Sequence, residues 1–204
     1  MIEPPRSLVA MTSPDPLHCT LFFFLSFLLA GIVQTVWLRS QTARRFAVAI
    51  DAGLTFRSRR IFGANKTWRG FIGMVPAAGL SFVLMHRVLQ PLDTTGQSLW
   101  PLSFAHFFLL GCWAGFGFML GELPNSFFKR QFGIAPGAPA HHPIAQRICF
   151  LVDQTDSVVG GLLAVSLAVP VPLATWLCLT IGGAATHLAF NYGLMRMGLR
   201  ERAA

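Results

Sequence analysis

The chain has 204 residues, room for one domain or at most two, and is 53% hydrophobic with 12% charged residues, against roughly 25% charged in an ordinary globular domain. That composition excludes a water-soluble globular protein and indicates an integral membrane protein. The net charge of +8 does not make it a nucleic-acid binder, because the basic residues flank apolar runs and carry no recognisable nucleic-acid motif.

A helix needs ~20 apolar residues to cross about 30 Å of hydrocarbon. The first candidate, LHCTLFFFLSFLLAGIVQTVWL at 17–38, contains no charge. The acidic residues Glu3 and Asp15, several prolines and the lack of a clean small-residue cleavage site mark it as a retained helix rather than a secretory signal. The second, 70–88, ends against Arg87, whose long side chain can snorkel to the interface and lengthen the span. The third is 99–120. From Ser157 to Met195 there is again no charge, and VPVP at 169–172 breaks that length into spans at 148–169 and 171–195 joined by a tight turn. The expected fold is a single all-α membrane domain over 1–204, with about five transmembrane helices and loops at 39–69 and 121–147.

Positive residues stay preferentially on the cytoplasmic side. Fourteen of the sixteen Lys and Arg fall in 39–70, 121–147 and 196–204, where the last segment holds Arg196, Arg200 and Arg202. The expected orientation has the N-terminus outside, the C-terminus and both basic loops in the cytoplasm, and the chain as a multi-pass protein of the inner membrane. Cys19, Cys112, Cys149 and Cys178 lie in or at the ends of the spans without C-x-x-C spacing, so neither a zinc site nor a disulfide framework is expected.

There are only eight acidic residues, and Asp51, Glu122, Asp153 and Asp156 all fall at the expected inner face. Asp153 and Asp156, in FLVDQTDSVVGG at 150–161, are spaced i, i+3 and so share one helical face. Two carboxylates that close repel unless one takes a proton or a cation lies between them. A hard divalent ion resolves the conflict, since Mg²⁺ takes one or two carboxylates plus substrate phosphate oxygens. RRIFGANKTWRGFIG at 59–73 brings Gly63, Lys66, Thr67, Arg69 and Gly70 to the start of the second span, where backbone N–H groups and cations favour an anion, although the Walker pattern is absent. GELPNSFFKRQFGIAPG at 121–137 follows with Glu122, Ser126, Lys129 and Arg130.

KTWRG at 66–70, G-E-L-x-x-S-F-x-K-R at 121–130 with GIAPG at 133–137, and D-Q-x-D-S at 153–157 resemble the CDP-archaeol synthase family; the last two motifs are similar to the broader CTP:phosphatidate cytidylyltransferases. The resemblance spans about residues 50–165. It implies transfer of a cytidylyl group from CTP to a membrane lipid phosphate, either phosphatidate or an archaeal-type ether-lipid phosphate, with release of pyrophosphate. It also implies Mg²⁺ or Mn²⁺ held by Asp153 and Asp156 with Glu122 as a third ligand. Lys66, Arg69, Ser126, Lys129 and Arg130 are the implied catalytic residues, and Gly63, Asn65, Lys66, Thr67, Gly70, Lys129 and Arg130 the implied nucleotide contacts. Asp51 is open between a role around the metal and the orienting of a loop arginine. The chain departs from the family's pattern where Glu122 stands for Asp and where Gly63-Ala64-Asn65-Lys66 replaces Gly-Asp-Gly-Lys; His141 and His142 do not reproduce the broader Pro-Gly-His-Gly-Gly stretch. The alternatives are a CDP-alcohol phosphotransferase, which needs more aspartates on consecutive segments, and a non-enzymatic transporter or scaffold.

Overall fold

The structure, a computed structural model, describes residues 12–92, 99–140 and 142–196. Glu3, His141, Arg200 and Arg202, and the ends of the chain whose sidedness was expected from charge, lie outside these residues.

Helix α1, Pro16–Arg39, opens where the Asp15 carboxylate accepts from the His18 N–H (2.9 Å), with proline in the first turn. Ser40 closes it and its hydroxyl caps the short α2, Gln41–Arg44. A hairpin of β1, Thr55–Phe56, and β2, Arg59–Arg60, precedes α3, Trp68–Leu89. After a 3-10 turn at Gln90–Leu92 come α4, Phe104–Gln131, α5, Pro143–Ser166, and α6, Leu173–Arg196. Helices α1, α3, α4 and α5 are long and apolar enough to cross a membrane, whereas the apolar part of α6, Leu173–Thr186, is shorter.

Three boundaries differ from expectation by five residues or more: the start of α4, expected at 99, its end, expected at 120, and the start of α5. Helix α4 starts at Phe104 and runs through Pro124 to Gln131, so residues 121–131, expected as loop, are helical. Helix α5 starts at Pro143, five residues before the expected 148, with His142 as its N-cap. Proline removes one backbone donor, but the turns on either side of Pro124 continue, and they carry Glu122, Asn125, Ser126 and Lys129.

Helix α4 packs between α3 and α5, and α1 packs against α3 and α6. The two sides of α4 each carry a glycine pair spaced i, i+4. Gly111 and Gly115 meet α3, where a Cβ on Gly115 would lie 2.9 Å from the Met74 carbonyl oxygen. Gly117 and Gly121 meet α5, where a Cβ on Gly117 would lie 2.6 Å from the Gly160 carbonyl oxygen. Small residues at such spacing let helix backbones touch, which in lipid replaces the missing hydrophobic drive for association. One end of the bundle is an apolar core of Phe22, Phe23, Phe82, Trp100, Phe107, Leu162 and Val165. The Trp100 indole donates to the Pro170 carbonyl there (2.9 Å). The carboxylates Asp51, Glu122, Asp153 and Asp156, with Arg60, Lys66 and Lys129, gather at the other end, just past the contact of Gly121 with α5.

Candidate active site

The segment leading into α3 is shaped by one carboxylate. Asp51 is buried, and its Oδ1 accepts from the Gly53 N–H (3.1 Å) while Oδ2 accepts from the N–H groups of Phe62 (3.1 Å) and Gly63 (3.0 Å). It also pairs with Arg60 of β2. Burial alone would raise its pKa, but the Gly63 N–H, Arg60 and the other donors outweigh burial and hold it at about 2. Asp51 therefore orients a loop arginine, as one of its two expected roles had it, and fixes the turn at Gly63, whose φ of +96° suits glycine. Arg57 and Ser58, with φ of 52° and 62°, form the two-residue hairpin turn between β1 and β2.

Backbone bonds then tie the loop to the start of α3: Ile50 N–H to the Lys66 carbonyl (2.9 Å), Trp68 N–H to Val48 (3.0 Å) and Arg69 N–H to Phe46 (3.0 Å). From α1, the Trp37 indole donates to the Arg69 carbonyl (2.9 Å) and the Gln34 amide to the Gly70 carbonyl (3.0 Å). Gly73 leaves room for both side chains, because a Cβ there would overlap Trp37 and Gln34. The K-T-W-R-G segment is thus held from the loop and from α1. Thr67 is the buried N-cap residue of α3, and its hydroxyl makes no cap hydrogen bond. Gly70 is buried against Met119, and Asn65 lies beside Gly63 on the loop.

Lys66 reaches across to α4 and pairs with Glu122. The other Glu122 oxygen accepts from the Ser157 hydroxyl of α5 (2.9 Å). One turn further along α4, the Asn125 amide nitrogen donates to Asp153 Oδ1 (2.6 Å) and to Asp156 Oδ2 (2.8 Å). One more turn on, Lys129 pairs with Asp153. The Ser157 N–H donates to Asp156 Oδ1 (2.7 Å). Ser126 is buried on α4. Next to Lys129, the Nε and Nη1 of Arg130 are buried without a protein partner, and its Cδ lies against Gly63.

Residues expected on three separate segments thus form one cluster of Lys66, Glu122, Lys129, Asp153 and Asp156, flanked by Gly63, Thr67, Ser126 and Arg130. Arg69 contributes its carbonyl to the clamp from Trp37. In the sequence Asn125 has no assigned role, and Ser157 is marked only as the last residue of the D-Q-x-D-S motif. The i, i+3, i+7 spacing of Glu122, Asn125 and Lys129 would have shown them as one helical stripe had 121–131 been read as helix.

For a cation, the donor chemistry is that of the aspartate pair. Among the described residues no three His, Cys, Asp or Glu side chains converge, since Glu122 is turned to Lys66 and Ser157. Asp153 and Asp156 nonetheless aim one oxygen each at the same donor, the Asn125 amide, so both face the point a small hard cation needs. The pair fits Mg²⁺ with substrate oxygens completing the shell, and Glu122, the third ligand that the resemblance implies, is here paired with Lys66 and joined to Asp156 through the Ser157 hydroxyl.

The model of the CarS-like CDP-archaeol synthase family matches residues 19–203. A CDP-archaeol synthase of Archaeoglobus fulgidus is 33% identical over 188 residues, covering 83% of this chain and 96% of that protein. A CDP-archaeol synthase of Thermofilum pendens is 28% identical, with 95% and 84% covered. A solved structure described as an intramembrane enzyme for archaeal membrane lipid biosynthesis superposes with a TM-score of 0.62 at 20% identity, over 88% of this chain and 96% of that one, and so shares the fold. With the family model spanning nearly the whole chain and a relative matched along almost its full length, the chain belongs to the CDP-archaeol synthase family, whose members are membrane cytidylyltransferases.

Proposed function

We propose that the chain transfers the cytidylyl group of CTP to an isoprenoid ether-lipid phosphate, with phosphatidate as the ester counterpart to be compared. The observation that carries this reading is the cluster in which Lys66 and Lys129 stand among Glu122, Asp153 and Asp156, with the partnerless Nε and Nη1 of Arg130 beside them. Family membership selects this reading over the phosphotransferase and transporter alternatives.

In the reaction a lipid phosphate oxygen attacks the α-phosphorus of CTP, the bond from that phosphorus to the bridging oxygen breaks, and pyrophosphate leaves with the electron pair. No general base is required, because the attacking phosphate is already an anion. Attacker and target are both negative, so the protein's task is alignment and charge neutralisation. Asp153 and Asp156 would hold Mg²⁺ or Mn²⁺, which when bound offsets triphosphate charge and polarises the phosphorus under attack. Lys66 and Lys129 would exchange their carboxylate partners for phosphate oxygens as CTP enters. Arg130 is suited to a phosphate as it stands, since two of its guanidinium nitrogens, Nε and Nη1, are buried without the acceptor that they favour. Thr67 and Ser126 offer hydroxyl donors, and the backbone at Gly63 and Asn65 would let the nucleotide approach the loop, while Gly70, buried against Met119 with its carbonyl taken by Gln34, would act by holding the start of α3 in place. Arg69 adds positive charge at the start of α3.

The Lys and Arg distribution supports a cytoplasmic position for this end of the bundle in the inner membrane, with the N-terminus outside, the C-terminus inside and α6 as the fifth span. The test is the purified full chain in nanodiscs with labelled CTP and Mg²⁺, given either the ether-lipid phosphate or phosphatidate. A labelled CDP-lipid from the ether substrate is the expected product, and no CDP-lipid from either substrate overturns the reading.

A further inference from the structure

The feature of the cluster that the mechanism leaves without a task is Asn125. It sits at the centre of the α4 stripe, with Glu122 one turn before it and Lys129 one turn after it. Each of those neighbours is bound to a charged partner, Glu122 to Lys66 and Lys129 to Asp153. Asn125 is neutral, and its amide nitrogen gives its two hydrogens to two different carboxylates, at 2.6 Å to Asp153 and 2.8 Å to Asp156. Among the described residues Asp156 has no ion pair, and its other oxygen accepts only from Ser157. The Asn125 amide thus joins both aspartates.

We propose that Asn125 is a positioning residue that holds Asp153 and Asp156 together as one cation-binding pair. This rests on the metal role proposed for the pair above. The backbone makes the arrangement possible: Gly121 lies against the Asp156 carbonyl and Gly160, so α4 and α5 are close enough one turn later for an asparagine, the shortest amide side chain, to span the gap. Without the amide, two like charges on one helical face would swing apart, each toward its own donor, Lys129 for Asp153 and Ser157 for Asp156. With it, both keep one oxygen aimed at a common point. A cation entering there would displace the amide hydrogens and the Lys129 ammonium, or meet the amide oxygen after a half-turn of the Asn125 side chain, while the two carboxylates keep the aim they already have.

The experiment titrates Mn²⁺ into the purified full chain in nanodiscs and reads bound ion by electron paramagnetic resonance, with no nucleotide or lipid phosphate present. Asn125→Leu keeps the size and removes the amide, and should weaken Mn²⁺ binding by about 10- to 100-fold, the usual cost of losing a group that orients metal ligands. The Mg²⁺ concentration for half-maximal activity should rise in parallel, while KM for CTP at saturating Mg²⁺ and the melting temperature stay near wild type. Asn125→Gln, which keeps the amide on a longer arm, should recover part of the affinity. If Asn125→Leu fails to fold, Asn125→Ala carries the same expectation. Wild-type Mn²⁺ affinity in the Leu or Ala variant overturns the proposal, and so does a wild-type chain that binds no Mn²⁺. A chain that binds Mn²⁺ through Asn125 yet makes no CDP-lipid leaves this inference standing and removes the proposed reaction instead.

Discussion

Asp51→Asn isolates what one buried charge does for the loop that delivers Lys66. The substitution keeps the shape, replaces one acceptor oxygen with an NH₂ that faces backbone N–H groups, and leaves Arg60 without its partner. Two routes give the magnitude. The carboxyl is held at about 2 against an ordinary 3.8, which at 1.36 kcal/mol per unit corresponds to about 2 kcal/mol favouring the charged form. Counting contacts instead, a hydrogen bond to a charged group contributes ~1.5–3 kcal/mol, and because three backbone donors and an arginine share one carboxylate their sum saturates, which puts the total at about 4 kcal/mol. The loop should therefore open roughly 30- to 700-fold more often, at 1.4 kcal/mol per tenfold. The hairpin contains its own reporter, since Arg57, Arg59 and Arg60 are trypsin sites on β1–β2 and its turn. Where reclosing outpaces cleavage, the cutting rate follows the opening equilibrium. Limited trypsinolysis in nanodiscs, with mass spectrometry of cuts after these arginines, should show that acceleration, together with a raised KM for CTP as Lys66 and Thr67 lose their fixed approach to α3. Cleavage at the wild-type rate would refute the assignment of Asp51 as the organiser of this loop.

The same carboxyl predicts an acid response: because its folded pKa lies below the ordinary value, its stabilisation is complete above pH about 4 and is lost as pH falls from 3.8 toward about 2. An acid protease should cut loop 51–63 faster across that window in wild type, with no such dependence in Asp51→Asn. On the metal role proposed for the pair, Asp153→Asn and Asp156→Asn should each give well-expressed, correctly inserted protein whose turnover falls by several orders of magnitude, since losing a ligand would weaken an ion whose offset of transition-state charge is a term of several kcal/mol; near-normal turnover in either would remove the metal reading. Gly160→Val should destabilise the fold by about 1–3 kcal/mol or more, because its Cβ would meet the Gly117 carbonyl and Gly121; an unchanged melting temperature in detergent would contradict the close α4–α5 crossing. A cysteine placed at the exposed turn residue Ser58 should react with a membrane-impermeant maleimide only after the cytoplasmic face is opened, and labelling from outside would reverse the orientation.

The helices were legible where transfer to lipid and helix formation agree. The 17–38 run became α1 with only small shifts at its ends, and Pro143 after His142 is a start signal that places α5 correctly once capping is considered with hydropathy. Around Glu122 and Pro124 the two criteria part. Charge ends an apolar run, but a helix continues as long as its polar side chains find partners, and here Lys66, Ser157, Asp153 and Asp156 supply them. Charged members of the cluster could be picked out because ionised residues beside apolar spans are conspicuous. Asn125 could not, since an uncharged amide in a segment read as loop looks like a turn residue, and only the approach of α4 to α5 gives it two acceptors. Glu122 shows the converse: its charge made it conspicuous, while its partner, Lys66 reaching across from the α3 entry, is seen only in the fold.

The length of α4 bears on how the second substrate arrives. From Phe104 to Asn125 the helix rises about 31 Å, close to the ~30 Å thickness of the hydrocarbon layer. With Phe104 at one boundary of the layer, Asn125 and the aspartates it touches would lie at the other, a few ångströms below the phosphates of the surrounding lipids. A lipid phosphate at that depth reaches them by lateral diffusion in the leaflet, with its chains still solvated by their neighbours. The quantity that sets its encounter rate is then its mole fraction in the membrane rather than its molarity in the sample. Diluting the lipid phosphate with inert lipid at constant total amount should slow turnover as a surface reaction does, while CTP, arriving from water, continues to obey ordinary bulk saturation.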